Sequence, residues 1–148
     1  MITAVFKSKI DDFFKTEKGL YFKETPNRLE DIIDTERRLN VTIDESYKYI
    51  LLNYGGAYVG VDLLPCLKSK DIRTNETILD FTLSFRKNYA EMNVCNDIQT
   101  SYIISIEGNG DPIFVNIHGN VVVHYHDENE REILANSFEC FILNNLSI

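Results

Sequence analysis

The sequence predicts a single α+β domain over residues 1–148: a mostly antiparallel sheet with N-terminal and C-terminal helices packed on it. Three observations predict this class. Residues 102–127, YIISIEGNGDPIFVNIHGNVVVHYHD, hold three strand-like runs separated by two turn signals, Gly108-Asn109-Gly110-Asp111-Pro112 and His118-Gly119-Asn120. Apolar residues before and after that stretch recur at helical spacing. The chain has no linker, internal repeat or low-complexity segment, and at 148 residues it can bury roughly 70% of the surface its unfolded form exposes.

The elements follow in order. Residues 2–17 place Ile2, Val5, Phe6, Ile10, Phe13 and Phe14 at near-helical spacing, and the run stops before Gly19; residues 20–22 read as a short extended connector. Thr25-Pro26 is a helix-start signal, a capping residue followed by proline at the first helical position. The helix it opens sets Leu29, Ile32, Ile33, Glu36 and Leu39 along one stripe. Glu36 has two readings, the edge of the apolar face or a buried or capping carboxylate. Asp44 caps a third helix with Tyr47, Ile50, Leu51 and Tyr54 on one face, and Gly55-Gly56 ends it. Residues 57–64 read as a strand with Gly60 as a bulge or close-approach site. Thr74 or Asn75 caps a helix through residues 76–89, and residues 90–100 read as a loop. After the sheet, residues 127–132 form a charged loop. Asn136 or Ser137 then opens a last helix that turns Phe138, Phe141, Ile142 and Leu146 inward.

The sheet stretch carries its own register. If Ile117 pairs with Val121 across a three-residue loop, then Ile113, Val115, Ile117, Val121, Val123 and Tyr125 share one face, because strand side chains alternate with period two. Ile104 and Ile106 join that face if residues 107–112 form the preceding turn. The first and last helices cover it. The opposite face reads Ile103, Ser105, Phe114, Asn116, Val122, His124 and His126, a mixture expected of a half-covered or partner-facing surface.

With 23 acidic against 15 basic side chains the formal charge is -8, which argues against binding nucleic acid or an anionic membrane and suits a basic partner. Three scattered cysteines, Cys66, Cys95 and Cys140, suggest neither a disulfide framework nor a metal knuckle. No apolar run approaches a membrane span or a signal peptide, so the expected location is the cytoplasm.

Candidate chemistry is sparse. His124 and His126 lie on one strand face, but His118 is roughly 10 Å away at about 3.3 Å per residue, so the three do not converge on a metal. The Gly108-Asn109-Gly110-Asp111 segment lacks the following helix and lysine of a phosphate loop and is flanked by Glu107 and Asp111. No nucleophile and base pair is recognisable by spacing.

The order of the pieces is more informative than any one residue. A helix with Glu36 and Leu39 leads to a capped helix with Tyr47, Ile50 and Leu51 that ends in Asn53-Tyr54-Gly55-Gly56. Ile104-Ser105-Ile106, the Gly-Asn-Gly-Asp turn, IFVNI, a glycine and VVVHYHDE follow, before a helix with Ser137, Phe138, Phe141 and Ile142. This resembles the SMI1/KNR4 family, also called the SUKH superfamily, over about residues 29–146. The chain departs from the family pattern at Ile43-Asp44, where Leu-Pro is usual, at Ile50, where an aromatic is common, and in having no tryptophan.

The resemblance implies helices on a mostly antiparallel sheet and a non-enzymatic binding role without a cofactor. Bacterial members look like immunity proteins that neutralise a cognate toxin, often a nuclease; fungal members are linked to regulation of cell-wall glucan synthesis. The first expectation is therefore an immunity protein whose partner is a basic toxin domain, met by charge complementarity. Its expected contact surface joins Phe114, Asn116, His124 and His126 on the mixed sheet face to the acidic Glu107, Asp111, Asp127, Glu128 and Glu130, with Tyr54 and Tyr58 as aromatic anchors. The alternatives are a regulatory scaffold of the cell-wall type and a metal-dependent enzyme built on the histidine pair.

Overall fold

The structure, a computed structural model, describes residues 2–67 and 76–146. Helix α1 (Ala4–Lys15) starts where the Thr3 hydroxyl accepts the Phe6 N–H, and it buries Phe6, Ile10 and Phe14. Residues 20–22 are not an extended connector. They belong to a second helix, α2 (Glu17–Phe22), capped by the Thr16 hydroxyl, which accepts the Gly19 N–H at 3.0 Å. Gly19 is a contact residue within α2: a Cβ there would lie 2.0 Å from the Phe13 carbonyl oxygen.

Helix α3 (Leu29–Leu39) begins later than Thr25-Pro26 because the preceding segment is bonded elsewhere. The Glu24 N–H donates to the Tyr54 carbonyl, the Asn27 N–H donates to the Leu51 carbonyl, and Asn27 Oδ1 accepts the Cys66 N–H at 2.7 Å. The buried side of α3 is Ile32, Thr35 and Leu39, while Leu29 and Ile33 face outward. Glu36 is the capping carboxylate: Oε2 accepts the Ile43 N–H at 2.8 Å and meets Lys48 Nζ at 3.1 Å.

Helix α4 (Glu45–Tyr54) is capped by Asp44, buries Tyr47, Ile50 and Leu51, and closes at Gly55 with φ +72°. The expected strand at residues 57–64 does not form. One isolated bridge pairs Tyr58 with Asp62, and the Leu64 N–H donates to the Ile104 carbonyl. Gly60 supplies the close approach, since a Cβ would meet the Asn145 carbonyl oxygen at 2.4 Å. Helix α5 (Ile78–Met92) is capped by Thr77, whose hydroxyl bonds the Asp80 N–H while the Asp80 carboxylate bonds the Thr77 N–H. The caps expected at Thr74 and Asn75 lie outside the described residues. Part of the loop expected at residues 90–100 is a 3-10 helix, Asn96–Thr100.

Among the described residues the sheet has four antiparallel strands in sequence order: β1 (Tyr102–Ile106), β2 (Pro112–Val115), β3 (Val121–Tyr125) and β4 (Glu130–Ala135). Val115 pairs with Val121 and Ile113 with Val123, a shift of two from the expected register. An even shift preserves the faces. The cause is Asn116, whose Oδ1 accepts the N–H groups of His118 and Asn120 and builds the turn around Ile117, leaving Ile117 72% exposed. In β1 a bulge between Ile103 and Ser105 sets Ser105 opposite Ile113 and Ile106 opposite Pro112, so Ile106 does not join the Ile113 face. The charged residues expected to be a loop, 127–132, include the first half of β4, an edge strand with exposed Glu130, Arg131 and Glu132; charge on an edge discourages further strand addition and hides the strand from hydropathy reading.

Helices cover both sheet faces. On one side Tyr47 of α4 stacks on Phe138 of α6 (Phe138–Leu146) at 4.8 Å, and the Asp44 N–H donates to the Tyr102 hydroxyl. On the other side α5 lies on β1, with the Thr82 hydroxyl accepting the Ile103 N–H and Tyr89 against His124. One buried hydrophobic cluster joins these layers.

Candidate functional site

The mixed sheet face is mostly covered, His126 excepted. Phe114 is fully buried, His124 is 2% exposed and Asn116 8%, because α5 packs over that side and Asn116 is spent on its turn. Tyr54 is likewise a packing residue: its ring stacks on Phe14 at 3.9 Å and its hydroxyl donates to Asp11 Oδ1 at 2.6 Å, beside Tyr49, which bonds the same carboxylate. Burial first, and then the hydrogen bond to the Asp11 carboxylate and its charge, push the Tyr49 hydroxyl up to about 12 and Tyr54 further up. Tyr58 is half-buried, with its ring 4.8 Å from Phe22.

The acidic residues come together at one end of the sheet, where the β1–β2 and β3–β4 turns lie side by side. Asp111 is buried at their junction. Its Oδ1 accepts the His126 N–H at 3.0 Å and pairs with His126 Nδ1, and Oδ2 accepts from Asn109 Nδ2 at 2.8 Å. Burial pushes this carboxyl up, but the His126 and Asn109 bonds outweigh it and hold it below the ordinary range. On its other edge, His126 Nε2 lies 3.3 Å from Asp127 Oδ1.

His124 anchors the same turn from beneath. Its Nε2 bonds Asn129 Oδ1 at 2.9 Å and its Nδ1 bonds the Tyr89 hydroxyl at 2.8 Å. Because the Asn129 oxygen only accepts, Nε2 carries the proton, and in the neutral ring Nδ1 accepts from Tyr89. Asn129 sits at φ +51°, a left-handed conformation that asparagine tolerates. The result is a projecting turn in which Asp127, Glu128 and Glu130 are exposed, with half-buried Glu107 beside it. Arg131 of β4 pairs with Asp97, and the Tyr125 hydroxyl donates to Glu132 Oε1 at 3.1 Å.

Sequence reading assigned no site role to Tyr89, Asn129 and Asn109, which hold this end together. Asn129 and Asn109 were legible as turn formers. Nothing local marks Tyr89, whose partner is 35 positions away. The two histidines occupy separate networks, and among the described residues no group of three or more His, Cys, Asp and Glu side chains is placed to hold a metal ion. No described helix is long and apolar enough to cross a membrane.

No curated protein matches the chain significantly. The model of the SMI1 / KNR4 family (SUKH-1) matches residues 26–144, which takes in α3 through most of α6 and the whole sheet. With that match over most of its length, on an α+β fold of the expected kind, the chain belongs to the SMI1/KNR4 (SUKH-1) family.

Proposed function

We propose that the protein is an immunity-type inhibitor that binds a basic toxin domain, such as a nuclease, through the acidic end of its sheet and blocks it without turnover. The observation that carries this reading is the construction of that end. Asp127, Glu128 and Glu130 project from a turn fixed by buried Asp111 and His124, so the charges are ordered before a partner arrives. Preorganised charge speeds encounter with a basic surface and lowers the ordering cost of binding. Family membership and the -8 formal charge support the same reading.

The test is co-expression with a toxin encoded beside this gene, followed by pull-down. Growth rescue and a stable complex are expected. The combined Asp127→Lys, Glu128→Lys, Glu130→Lys variant should fold normally but associate about tenfold more slowly at low salt, with the gap closing as salt rises. If the native protein neither rescues growth nor forms a complex, the reading fails for that toxin.

A further inference from the structure

A cleft of about 410 Å³ opens at the end of the sheet opposite the acidic turns, a size that suits a small ligand. Its walls come from three places in the chain: the loop after α3, the junction before β1, and the end of β2 with its turn. Those walls are fixed. Arg86 donates to the Leu39 and Ser101 carbonyls beside two of them, and the loop after α3 is held by the Ile43 N–H on Glu36 and the Asp44 N–H on the Tyr102 hydroxyl.

The lining is polar without charge among the described residues. Asn40, Thr42 and Thr100 form an exposed rim, and the nearly buried Tyr102 and Asn116 form the floor. Asn116 builds its turn with Oδ1 alone, which accepts from His118 and Asn120, and among the described residues its Nδ2 has no acceptor. No fully buried side-chain nitrogen or oxygen among the described residues lacks a partner, so Nδ2 meets solvent, and the cleft that Asn116 lines is the opening beside it. The Tyr102 hydroxyl accepts from the Asp44 N–H and keeps its own hydrogen to donate. Aliphatic contact comes from Val41, Val115 and the exposed Ile117.

We infer that this cleft binds a neutral sugar ring, either a free monosaccharide or the end of a glycan. A charged ligand would give up hydration without meeting a counter-charge in the lining. A purely apolar one would strip water from Asn116 Nδ2 and the Tyr102 hydroxyl and put no partner in its place. A nucleobase lacks a platform, because the Tyr102 ring is 3% exposed and lies against Tyr47. A pyranose meets every condition. Its hydroxyls both donate and accept, matching the amides and hydroxyls of rim and floor, and its C–H edges lie on the aliphatic side chains. A peptide amide offers one donor and one acceptor per unit, and so satisfies fewer of the five polar side chains. The cleft shares no residue with the acidic end of the sheet and stands as a site whether or not a toxin is the partner.

The test titrates isotope-labelled protein and follows its amide shifts. D-Glucose, D-galactose and D-mannose are the neutral probes, the matching amino sugars and uronic acids the charged ones, and N-methylacetamide stands for a peptide bond. At least one neutral hexose should give saturable shifts at Asn40, Val41, Asn116 and Ile117 with millimolar affinity, and its charged counterparts should bind about tenfold more weakly. Tighter binding of a disaccharide of that hexose supports the site with a glycan end as the source, and equal binding supports it with the free sugar. Asn116→Asp keeps an oxygen for the turn but removes the Nδ2 donor, and should lose about tenfold in affinity. Thr42→Val, at an exposed position that leaves the turn intact, should lose about threefold with unchanged stability. Absence of saturable shifts with all three neutral hexoses, equal binding of charged and neutral sugars, or unchanged affinity in Thr42→Val would each overturn the inference. So would saturation by N-methylacetamide in preference to every hexose, since that assigns the cleft to the main chain of a protein partner.

Discussion

Asp111 shows how much one side chain does at the acidic end of the sheet. It is a buried carboxylate that holds His126 by main chain and ring and so ties the β1–β2 turn to the β3–β4 turn. Asp111→Asn keeps the shape and removes the charge. Unfolding in urea at neutral pH should show a loss of roughly 1–3 kcal/mol, the range for weakening a buried charged hydrogen-bond set. The pH dependence follows from the sign of the shift. A carboxyl held below its ordinary range stabilises the fold above its unfolded pKa of about 3.9, and the contribution is lost as pH falls through the folded value. The difference between native protein and Asp111→Asn should therefore shrink below about pH 4, and a constant difference down to that acidity would contradict the assignment.

At the scale of elements, the α1–α2 corner depends on a missing atom. Gly19 carries ordinary helical geometry, yet a Cβ would sit 2.0 Å from the Phe13 carbonyl oxygen and 2.6 Å from Phe14 Cα, both main chain and unable to move aside cheaply. Gly19→Ala should cost roughly 1–3 kcal/mol in thermal or urea unfolding, as overpacking does elsewhere. Gly108→Ala is the control: no atom lies within 4 Å of its Cβ position, and it should change stability little. Equal effects at the two sites would show that the helix corner tolerates separation.

Across the whole molecule, Arg86 joins pieces distant in sequence. From α5 its guanidinium donates to the Leu39 carbonyl at the end of α3, at 3.0 Å, to the Ser101 carbonyl before β1, at 2.9 Å, and to the Ile98 carbonyl in the 3-10 helix. The Gln99 side-chain amide bonds the Arg86 carbonyl in return. Arg86→Leu leaves three carbonyls without this donor while keeping apolar bulk. A loss of about 2 kcal/mol is expected, with faster hydrogen exchange at the end of α3 and in residues 96–101, regions that no local substitution links. A variant whose exchange changes only within α5 would refute the linking role.

Local pattern determined much of this protein: the helical phase of Tyr47, Ile50 and Leu51, the Asp44 and Ser137 caps, and the two faces of the central strands, since periods of 3.6 and 2.0 are written into neighbouring residues. The family was legible too, because its motifs are spaced along the chain. What only the tertiary structure decided was coverage. His124 and Phe114 read as part of a half-covered or partner-facing face, but both are buried, His124 against Tyr89 of α5, and that burial depends on contacts tens of residues apart. Strand β4 was hidden for the complementary reason: an edge strand with charged side chains is recruited by the ladder of β3, so its extended form comes from its neighbour rather than from its own hydropathy.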